Sequence, residues 1–225
     1  MKTLKQTFFL LSLTVFFLAS CKKNNVDNTP QPDIAAFNVV NAAPGQTSFN
    51  FALDNQIVNG PALTFTDPTG YISAYTGTRK FDVTLGGTTQ SVLTDTLILE
   101  KDKYYSVFIT GQSSLSTLIT EDDVTTPATG KAKIRFIQLS PDAGSLSLGI
   151  KGETPLFPAQ AFKTASAFIA IDPAQYIMEI KNDGGNALTE SNITIAAGRI
   201  YTVWAGGLLQ GTGNSAMIIQ VNVNN

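Results

Sequence analysis

The sequence predicts an all-β protein of two tandem antiparallel sandwiches behind a lipidated N-terminal leader. Three observations support this prediction: short apolar runs that alternate with a period of two, an internal repeat at a shift of 97 residues, and a single cysteine after a short apolar segment. Apolar residues make up 43% of the 225-residue chain and charged residues only 14%, so the chain can bury cores of this size. No window combines 3.6-residue periodicity with end caps, so few helices are expected.

The first 20 residues have the features of a cleaved secretory signal: lysines at the start, an apolar run from Phe8 to Leu18, and small residues before Cys21. The run is too short for a transmembrane helix, which needs about 20 apolar residues. The segment Leu18 to Cys21 resembles the lipobox of bacterial lipoproteins, whose cysteine is acylated and becomes the mature N-terminus. The resemblance implies a signal peptide over residues 1–20 and lipidation of Cys21. Lys22 is not an acidic retention residue, which favours the outer membrane, on either its periplasmic or its cell-surface face.

Residues 21–33 are predicted to form a flexible tether. After Cys21 the segment reads KKNNVDNTPQPD, with one apolar residue and two prolines, and it cannot bury enough surface to offset the entropy of ordering. Fully extended at roughly 3.3 Å per residue, it would reach about 40 Å. A folded part on such a tether would stand clear of the lipid headgroups.

The charge of the chain excludes one class of partner. Without residues 1–20 the chain has 13 basic and 17 acidic residues, a net charge of −4. Nonspecific nucleic-acid binding needs clustered lysine and arginine, so no nucleic acid is expected. The expected partners are the membrane, through the lipid anchor, and a glycan or protein ligand. With a single cysteine, stability must come from packing and not from a disulfide.

An internal repeat organises the part after the tether. At a shift of 97 residues, Ala36 to Pro44 lies on Lys133 to Pro141, and after a one-residue deletion Tyr105 lies on Tyr201. A nearly constant shift over the whole length indicates two copies of one domain. The predicted boundaries are domain 1 over 34–124, a linker over 125–131, and domain 2 over 132–225.

Each copy shows about seven short alternating segments bounded by Gly, Pro, Asn and Asp, as in an antiparallel sandwich. In Phe81 to Leu85, for example, Phe81, Val83 and Leu85 share one face. The predicted strands of the first copy are 36–41, 48–53, 70–75, 80–85, 94–99, 104–110 and 116–120. Those of the second copy are 133–139, 145–150, 167–171, 176–181, 191–195, 200–205 and 217–223.

The sequence resembles the family called domain of unknown function 4397. The resemblance lies in an apolar strand that ends in a proline turn, Val39 to Pro44 and again Phe136 to Asp142, and in the segments Leu99 to Val107 and Ile195 to Val203. It covers nearly all of residues 34–225. It implies immunoglobulin-like sandwiches in an envelope lipoprotein, and it supplies no catalytic residues because the family has no assigned activity. The first copy departs from the pattern at its Glu-Lys-Asp-Lys turn, residues 100–103.

The residue inventory argues against an enzyme. The chain has no histidine, which excludes the usual Ser-His-Asp and Cys-His mechanisms and removes the commonest transition-metal ligand. No cofactor or metal is therefore expected. A pair of carboxylates could still hydrolyse a glycosidic bond, so an Asp/Glu hydrolase stays as a distant alternative. Most acids, however, neighbour Gly, Pro or Asn, where aspartate stabilises turns.

Two local segments have both a structural and a ligand interpretation. The acidic run Glu121, Asp122 and Asp123 could help bind calcium, which takes six to eight oxygen ligands, but it lacks the spacing of a calcium loop and is otherwise a solvated domain boundary. The segment Lys181 to Asn186, KNDGGN, is predicted as a hairpin turn because it lacks the lysine and Ser/Thr of a phosphate loop.

Aromatic residues supply the remaining candidates. Tyr105 and Tyr201 begin their strands and are either tyrosine corners or ordinary core aromatics. Trp204, the only tryptophan, and its counterpart Phe108 fall on the opposite face from Val203 in the alternation. They are candidate ligand contacts, as a glycan-stacking surface, or else they form an inter-domain contact or a packed sheet face.

These observations predict a non-enzymatic envelope lipoprotein of two immunoglobulin-like sandwiches that presents a recognition surface for a glycan or a protein. The ligand contacts of such a module are expected in its loops. The alternative is a periplasmic structural or assembly component.

Overall fold

The computed structural model describes residues 31–45 and 48–225. The predicted signal peptide, the lipidation residue Cys21 and most of the predicted tether lie outside the described residues. Residues Pro32–Asn225 cluster as one unit. Within the described ranges no helix is long and apolar enough to cross a membrane.

Seventeen strands and one short 3₁₀ helix make up the described chain. The first eight strands are β1 Ile34–Asn41, β2 Phe49–Leu53, β3 Gln56–Ile57, β4 Ile72–Tyr75, β5 Gly77–Leu85, β6 Ser91–Leu99, β7 Tyr104–Thr110 and β8 Ser116–Glu121. The others are β9 Ala132–Gln138, β10 Leu146–Ile150, β11 Pro155–Gln160, β12 Thr164–Ala165, β13 Ile169–Ile171, β14 Ala174–Asn182, β15 Ala187–Ile195, β16 Ile200–Gly206 and β17 Ile218–Val223, with the helix at Gly213–Ser215.

Every strand predicted from the alternation is present, with ends that differ by a few residues. The prediction missed β3, β11 and β12. Strands β3 and β12 are only two residues long, and β11 contains two prolines. Proline cannot donate to a ladder and is confined to sheet edges, and β11 is indeed an edge strand.

The strands form four sheets that pair into two sandwiches. In the first sandwich the sheet β4-β1-β7-β8 packs on β3-β2-β5-β6, and its core includes Phe37, Phe51 and Phe81. In the second, the sheet β12-β9-β16-β17 packs on β11-β10-β14-β15, around Phe136 and Met178. The fold is therefore all-β with two sandwiches in tandem.

Each sandwich contains one parallel strand pair, which differs from the purely antiparallel arrangement expected. Strand β1 runs parallel to β7, with Phe37 opposite Tyr105, and β9 runs parallel to β16, with Ile134 opposite Tyr201. The other ladders between strands are antiparallel. Local alternation encodes which face of a strand is buried but not the direction of its partner, so the sequence could not show this pairing. The matched registers do confirm the internal repeat.

The two sandwiches stack on each other through the sheets that contain β1, β7, β9 and β16. A third core of buried residues lies between them: Val40, Ala42, Phe108, Ile137, Leu139 and Trp204. The central sheets are thus covered on both faces. Strand β16, for example, is buried at all seven positions, and such strands lose the clean apolar-polar alternation of a half-exposed sheet.

Both tyrosine-corner candidates make the expected contact. The hydroxyl of Tyr105 accepts a hydrogen bond from the backbone N–H of Glu100 at 3.3 Å, and that of Tyr201 accepts one from Ala196 at 3.0 Å. Both rings also belong to the cores. The tyrosine-corner and core interpretations therefore hold together.

Replacing Tyr201 with phenylalanine is expected to lower the free energy of unfolding by about 1 kcal/mol, because the Ala196 N–H loses its acceptor while the ring stays packed. Chemical denaturation measures the change. Tyr176→Phe is the matched control, since its hydroxyl bonds to Asp172 in an exposed position, and it should be nearly neutral. Equal losses in the two variants would contradict a special role for the corner.

Candidate functional site

The structure places Trp204 and Phe108 in the interface between the sandwiches. Both side chains are 0% exposed, so neither can contact a ligand on the surface. Their interpretation as ligand contacts is therefore corrected, and the inter-domain contact is what the structure shows. The alternation predicted the direction of the side chain correctly, because Trp204 does face away from the core that holds Val203. What covers that second face is the other sandwich.

Trp204 is held by aromatic contacts across this interface and by a polar contact within its own sandwich. Its ring meets Phe108 edge-on at 6.4 Å and Phe65 at 6.3 Å between centroids, both from the first sandwich. Its Nε1–H donates to Oδ1 of Asn222 at 3.0 Å. Gly206 lies directly beside the ring, and a Cβ there would collide with it. The tryptophan is thus a packing and not a recognition residue.

The acidic run also belongs to the interface. Each member pairs with a different cation: Glu121 with Lys103, Asp122 with Arg135, and Asp123 with Lys133. Among the described residues no group of His, Cys, Asp or Glu is arranged to hold a metal. The alternative, a solvated boundary, holds for the two outer acids. It fails for Asp122, whose side chain is 0% exposed.

Asp122 is the centre of a buried polar cluster between the sandwiches. Its carboxylate accepts hydrogen bonds from Ser106 Oγ at 2.6 Å and from the Tyr71 hydroxyl at 2.5 Å, besides the ion pair with Arg135. Asn224 of the second sandwich donates to the Tyr71 hydroxyl at 3.0 Å. Buried charges are tolerated when they are paired and hydrogen-bonded in this way. The cluster locks the two sandwiches at the linker side.

Arg135 completes the cluster from the second sandwich. Its Nε donates to Thr202 Oγ1 at 2.9 Å and its Nη1 to the Glu121 carbonyl at 3.1 Å. The guanidinium also lies 4.7 Å from the ring centre of Phe168. All three nitrogens of the guanidinium therefore have a hydrogen-bond partner.

Two side chains near the cluster have shifted pKa values. Burial, followed by the charge of Asp122, raises the pKa of Tyr71, so its hydroxyl stays protonated and donates. The hydrogen bond from Lys133 lowers the pKa of Asp123 from 3.8 to about 2. Because the pKa is lower in the folded state, the ionised Asp123 stabilises the fold at pH values above the ordinary pKa. This stabilisation is lost as the pH falls towards 2. Because the Asp123 side chain is 42% exposed, solvent screens the contribution and keeps it small.

A groove on the side of the first sandwich is the best candidate ligand site. It has a volume of about 620 Å³, within the range of about 300–1,000 Å³ usual for ligand pockets. It lies between β4 and β3, the edge strands of the two sheets. We call this site the lateral groove. Its floor is apolar and consists of Phe37, Leu53, Val58 and Ile72, and its rim carries Asp54, Gln56, Tyr75 and Arg79.

The rim of the lateral groove carries an ion pair. Arg79 pairs with Asp54, which sits in the tight turn between β2 and β3 with a φ of 47°. Asp54 is itself fixed, because its Oδ1 accepts a hydrogen bond from the Lys80 N–H at 3.2 Å. The Nε of Arg79 is buried and has no hydrogen-bond partner in the described structure. The rim therefore carries a positioned ion pair, whereas the unpaired Nε lies beneath the surface.

The first sandwich is open here because it lacks a large side chain that the second has. Phe157 of β11 stands opposite Leu148 and is buried in the second core, 6.3 Å from Phe136. The repeat places Leu148 on Phe51, and the residue bonded to Phe51 is Val58, whose N–H donates to its carbonyl at 3.0 Å. Valine fills less space than phenylalanine. Val58, which lines the lateral groove, thus takes the chain position that Phe157 has in the second sandwich.

The lateral groove was not predicted from the sequence, although one signal pointed to it. The alternation that puts Phe81 and Val83 on the buried face of β5 also puts Arg79 there, so a charged residue faces inward at the end of the strand. The volume left by Val58 could not be predicted, because it depends on which residue next to β3 lies opposite Phe51.

Asp67 has the turn role that the sequence favoured, because it accepts hydrogen bonds from the N–H and hydroxyl of Thr64 at 2.9 and 2.6 Å. The segment KNDGGN forms the β14–β15 hairpin turn, closed by a bond from the Gly185 N–H to the Asn182 carbonyl. Asp142 differs, because it accepts a hydrogen bond at 2.9 Å from the N–H of Leu209 and so links two loops that are distant in the sequence.

Comparison with known families gives one match that covers half of the chain. The family described as a domain of unknown function (DUF4397) matches residues 35–149. The chain belongs to the DUF4397 family. The match spans all but the first residue of the first sandwich of this DUF4397 protein, and it continues through β9 and most of β10 of the second. No curated protein matches the chain.

Solved structures similar to this DUF4397 chain are β proteins at low identity. A family 26 carbohydrate-binding module from Eubacterium rectale Amy13K, in complex with maltoheptaose, is 10% identical and has a TM-score of 0.27, with 83% of this chain and 96% of that chain covered. A streptococcal virulence factor that binds α-glucan is 9% identical, with a TM-score of 0.25 and coverages of 84% and 97%. A candidate cell adhesion protein from Bacteroides eggerthii is 11% identical, with a TM-score of 0.20 and coverages of 87% and 97%.

Proposed function

We propose that the protein is a non-enzymatic lipoprotein of the outer membrane, anchored through Cys21, that binds a glycan or protein ligand in the lateral groove of its first sandwich. The observation that carries the binding part is the groove itself. It combines an apolar floor with a fixed ion pair at the rim, which is the usual composition of a ligand site. The position of Val58 in this groove is held in the second sandwich by Phe157, which is buried.

The anchoring part rests on the lipobox-like segment that ends at Cys21. Several acyl chains on one cysteine would hold the protein stably, whereas a single chain holds it only marginally. The tether of residues 22–33 would then separate the anchor from the folded sandwiches. In this arrangement the groove is available to a ligand in the periplasm or outside the cell.

A periplasmic structural role is the second candidate, and the interface between the sandwiches favours it. The buried core around Trp204 and the cluster around Asp122 join the two sandwiches tightly, as a spacer would require. Protease shaving of intact cells separates the two candidates. Cleavage of the second sandwich on intact cells supports surface recognition, whereas protection until the outer membrane is permeabilised supports the periplasmic component.

Replacing Cys21 with alanine is expected to release the protein from the membrane fraction, because the acceptor of the lipid is lost. Detergent partitioning and metabolic labelling with a fatty acid measure this. Lys23→Ala, which keeps the cysteine, is the control and should stay in the membrane fraction. A Cys21→Ala protein that still partitions with membranes would contradict a lipid anchor at this residue.

The groove is tested by binding screens that compare the wild-type protein with Val58→Phe. The substitution places in the first sandwich the side chain that fills the second, so a groove ligand should be excluded while the fold is kept. Panels of soluble polysaccharides and of extended peptides supply the probes. A ligand bound equally by both proteins would place the binding site elsewhere.

A further inference from the structure

The class of ligand can be narrowed if the proposed function holds. We infer that the lateral groove binds an extended peptide, which adds as a strand to the free edge of β4 and inserts an aromatic side chain onto the groove floor. This inference rests on the proposed function, because it names the ligand of the same groove. Three features of the described residues support it.

The first feature is the unpaired edge of β4. The N–H of Ala36 donates to Lys103, towards β7, so its neighbours Ala35 and Phe37 direct their backbone groups towards β4. Their partners on β4 are Ala74 and Ile72. In an antiparallel ladder the alternate residues, Ser73 and Tyr75, then point their N–H and C=O groups away from β1. Strand β4 ends its sheet, so these groups are open to another strand.

The second feature is the occupant of the same place in the second sandwich. There the side chain that fills the space between the sheets comes from an extended segment, β11, and it is the phenyl ring of Phe157. The first sandwich has only the two-residue β3 in the corresponding position. After Val58 its chain leaves the ladder, where the Asn59 side chain accepts the Phe51 N–H at 2.7 Å. A partner strand on the free edge of β4 would supply an inward side chain from the opposite sheet, since the edge beside β2 is taken by β3.

The third feature is the chemistry of the groove. Its floor of Phe37, Leu53, Val58 and Ile72 is apolar and suits a hydrophobic side chain better than sugar hydroxyls. The exposed aromatic Tyr75 lies opposite Ile34, on the other face of β4 from Ile72, and so stands at the rim and not on the floor. The free edge of β4 would supply backbone hydrogen bonds to the peptide beside this pocket. Strand addition commonly combines such backbone bonds with a side-chain pocket.

The probe is a fluorescent, terminally blocked heptapeptide of alternating threonine and valine with one central phenylalanine. Two further peptides are the controls, one with threonine in place of the phenylalanine and one N-methylated on alternate residues. The wild-type protein should bind the first peptide. The threonine peptide, and the first peptide with Val58→Phe, should bind about 10- to 100-fold more weakly, as expected for loss of one buried phenyl ring. The N-methylated peptide should lose binding, because it cannot complete a ladder.

Ser73→Pro tests the edge from the side of the protein. Its N–H points away from β1, so proline removes a donor from the free edge without removing a ladder bond. This variant should bind the phenylalanine peptide more weakly and keep the tryptophan fluorescence of the wild type, which reports an intact interface. The same fluorescence checks that Val58→Phe folds.

Three results would overturn the inference. If the peptide binds wild type and Val58→Phe equally, the groove is not its site. If no peptide binds but a polysaccharide binds the wild type and not Val58→Phe, the proposed function stands and the peptide inference fails. If neither class of probe distinguishes the two proteins, the proposed function fails as well.

Discussion

Replacing Asp122 with alanine is expected to lower the free energy of unfolding by about 3–5 kcal/mol, the usual cost of leaving one partner of a buried ion pair alone. The side chain of Arg135 is only 3% exposed and would keep its charge without a counter-ion. Tyr71 and Ser106 would also lose their acceptor. Denaturant unfolding followed by tryptophan fluorescence measures the change, because the single tryptophan lies in the interface that this pair helps to hold.

Glu121→Ala is the matched control for this result. Glu121 is the neighbour of Asp122 in the sequence, but both side chains of its ion pair with Lys103 are about half exposed. Such exposed pairs contribute about 0–1 kcal/mol. The double variant Asp122→Leu, Arg135→Met should recover much of the loss, because removing both charges leaves none buried alone. If Asp122→Ala and Glu121→Ala had equal effects, the buried cluster would not stabilise the interface.

Replacing Trp204 with alanine is expected to destabilise the protein by about 3–5 kcal/mol, the range for removing a large buried aromatic. The ring fills the core between the sandwiches and touches Phe65 and Phe108. The Oδ1 of Asn222 would also lose the hydrogen bond from the indole N–H. Because the loss falls on the interface, unfolding should separate into two steps as the sandwiches lose their coupling. Calorimetry and circular dichroism measure both effects without the tryptophan signal.

Two controls make the Trp204 result specific. Trp204→Phe keeps an aromatic ring against Phe108 and should cost less than the alanine variant. Ile98→Ala removes a large apolar side chain that is 64% exposed, and it should be nearly neutral. A single unfolding step with unchanged stability in Trp204→Ala would contradict the role of this ring in joining the sandwiches.

Substitutions in the lateral groove and in the interface are expected to have different effects. The groove variants Val58→Phe and Ser73→Pro should change binding and leave the interface intact, whereas Trp204→Ala and Asp122→Ala should change stability first. The groove is built from the first five strands, β1 to β5, and uses none of the interface core. A loss of ligand binding at unchanged stability would therefore identify a groove residue.

Much of the fold was predictable because its signals are local. Alternation marked Phe81 and Val83 as inward, the constant shift paired Tyr105 with Tyr201, and turn residues such as Asp67 lay where the chain reverses. Each depends on neighbours within a few residues or on a direct comparison of two segments. The two tandem sandwiches, their strands and the tyrosine corners follow from such signals. The assignment to DUF4397 also rests on them.

What only the tertiary structure decided concerns surfaces that meet across long sequence separations. The sequence placed Trp204 and Phe108 on an outer face, but it could not show that the other sandwich covers that face. The sequence also marked Asp122 as one acid in a run, whereas burial against Arg135 makes it the centre of a cluster. The lateral groove exists because Val58, unlike Phe157, leaves space between two sheets. Each of these depends on which faces pack together, and the pattern within a strand does not encode its partner.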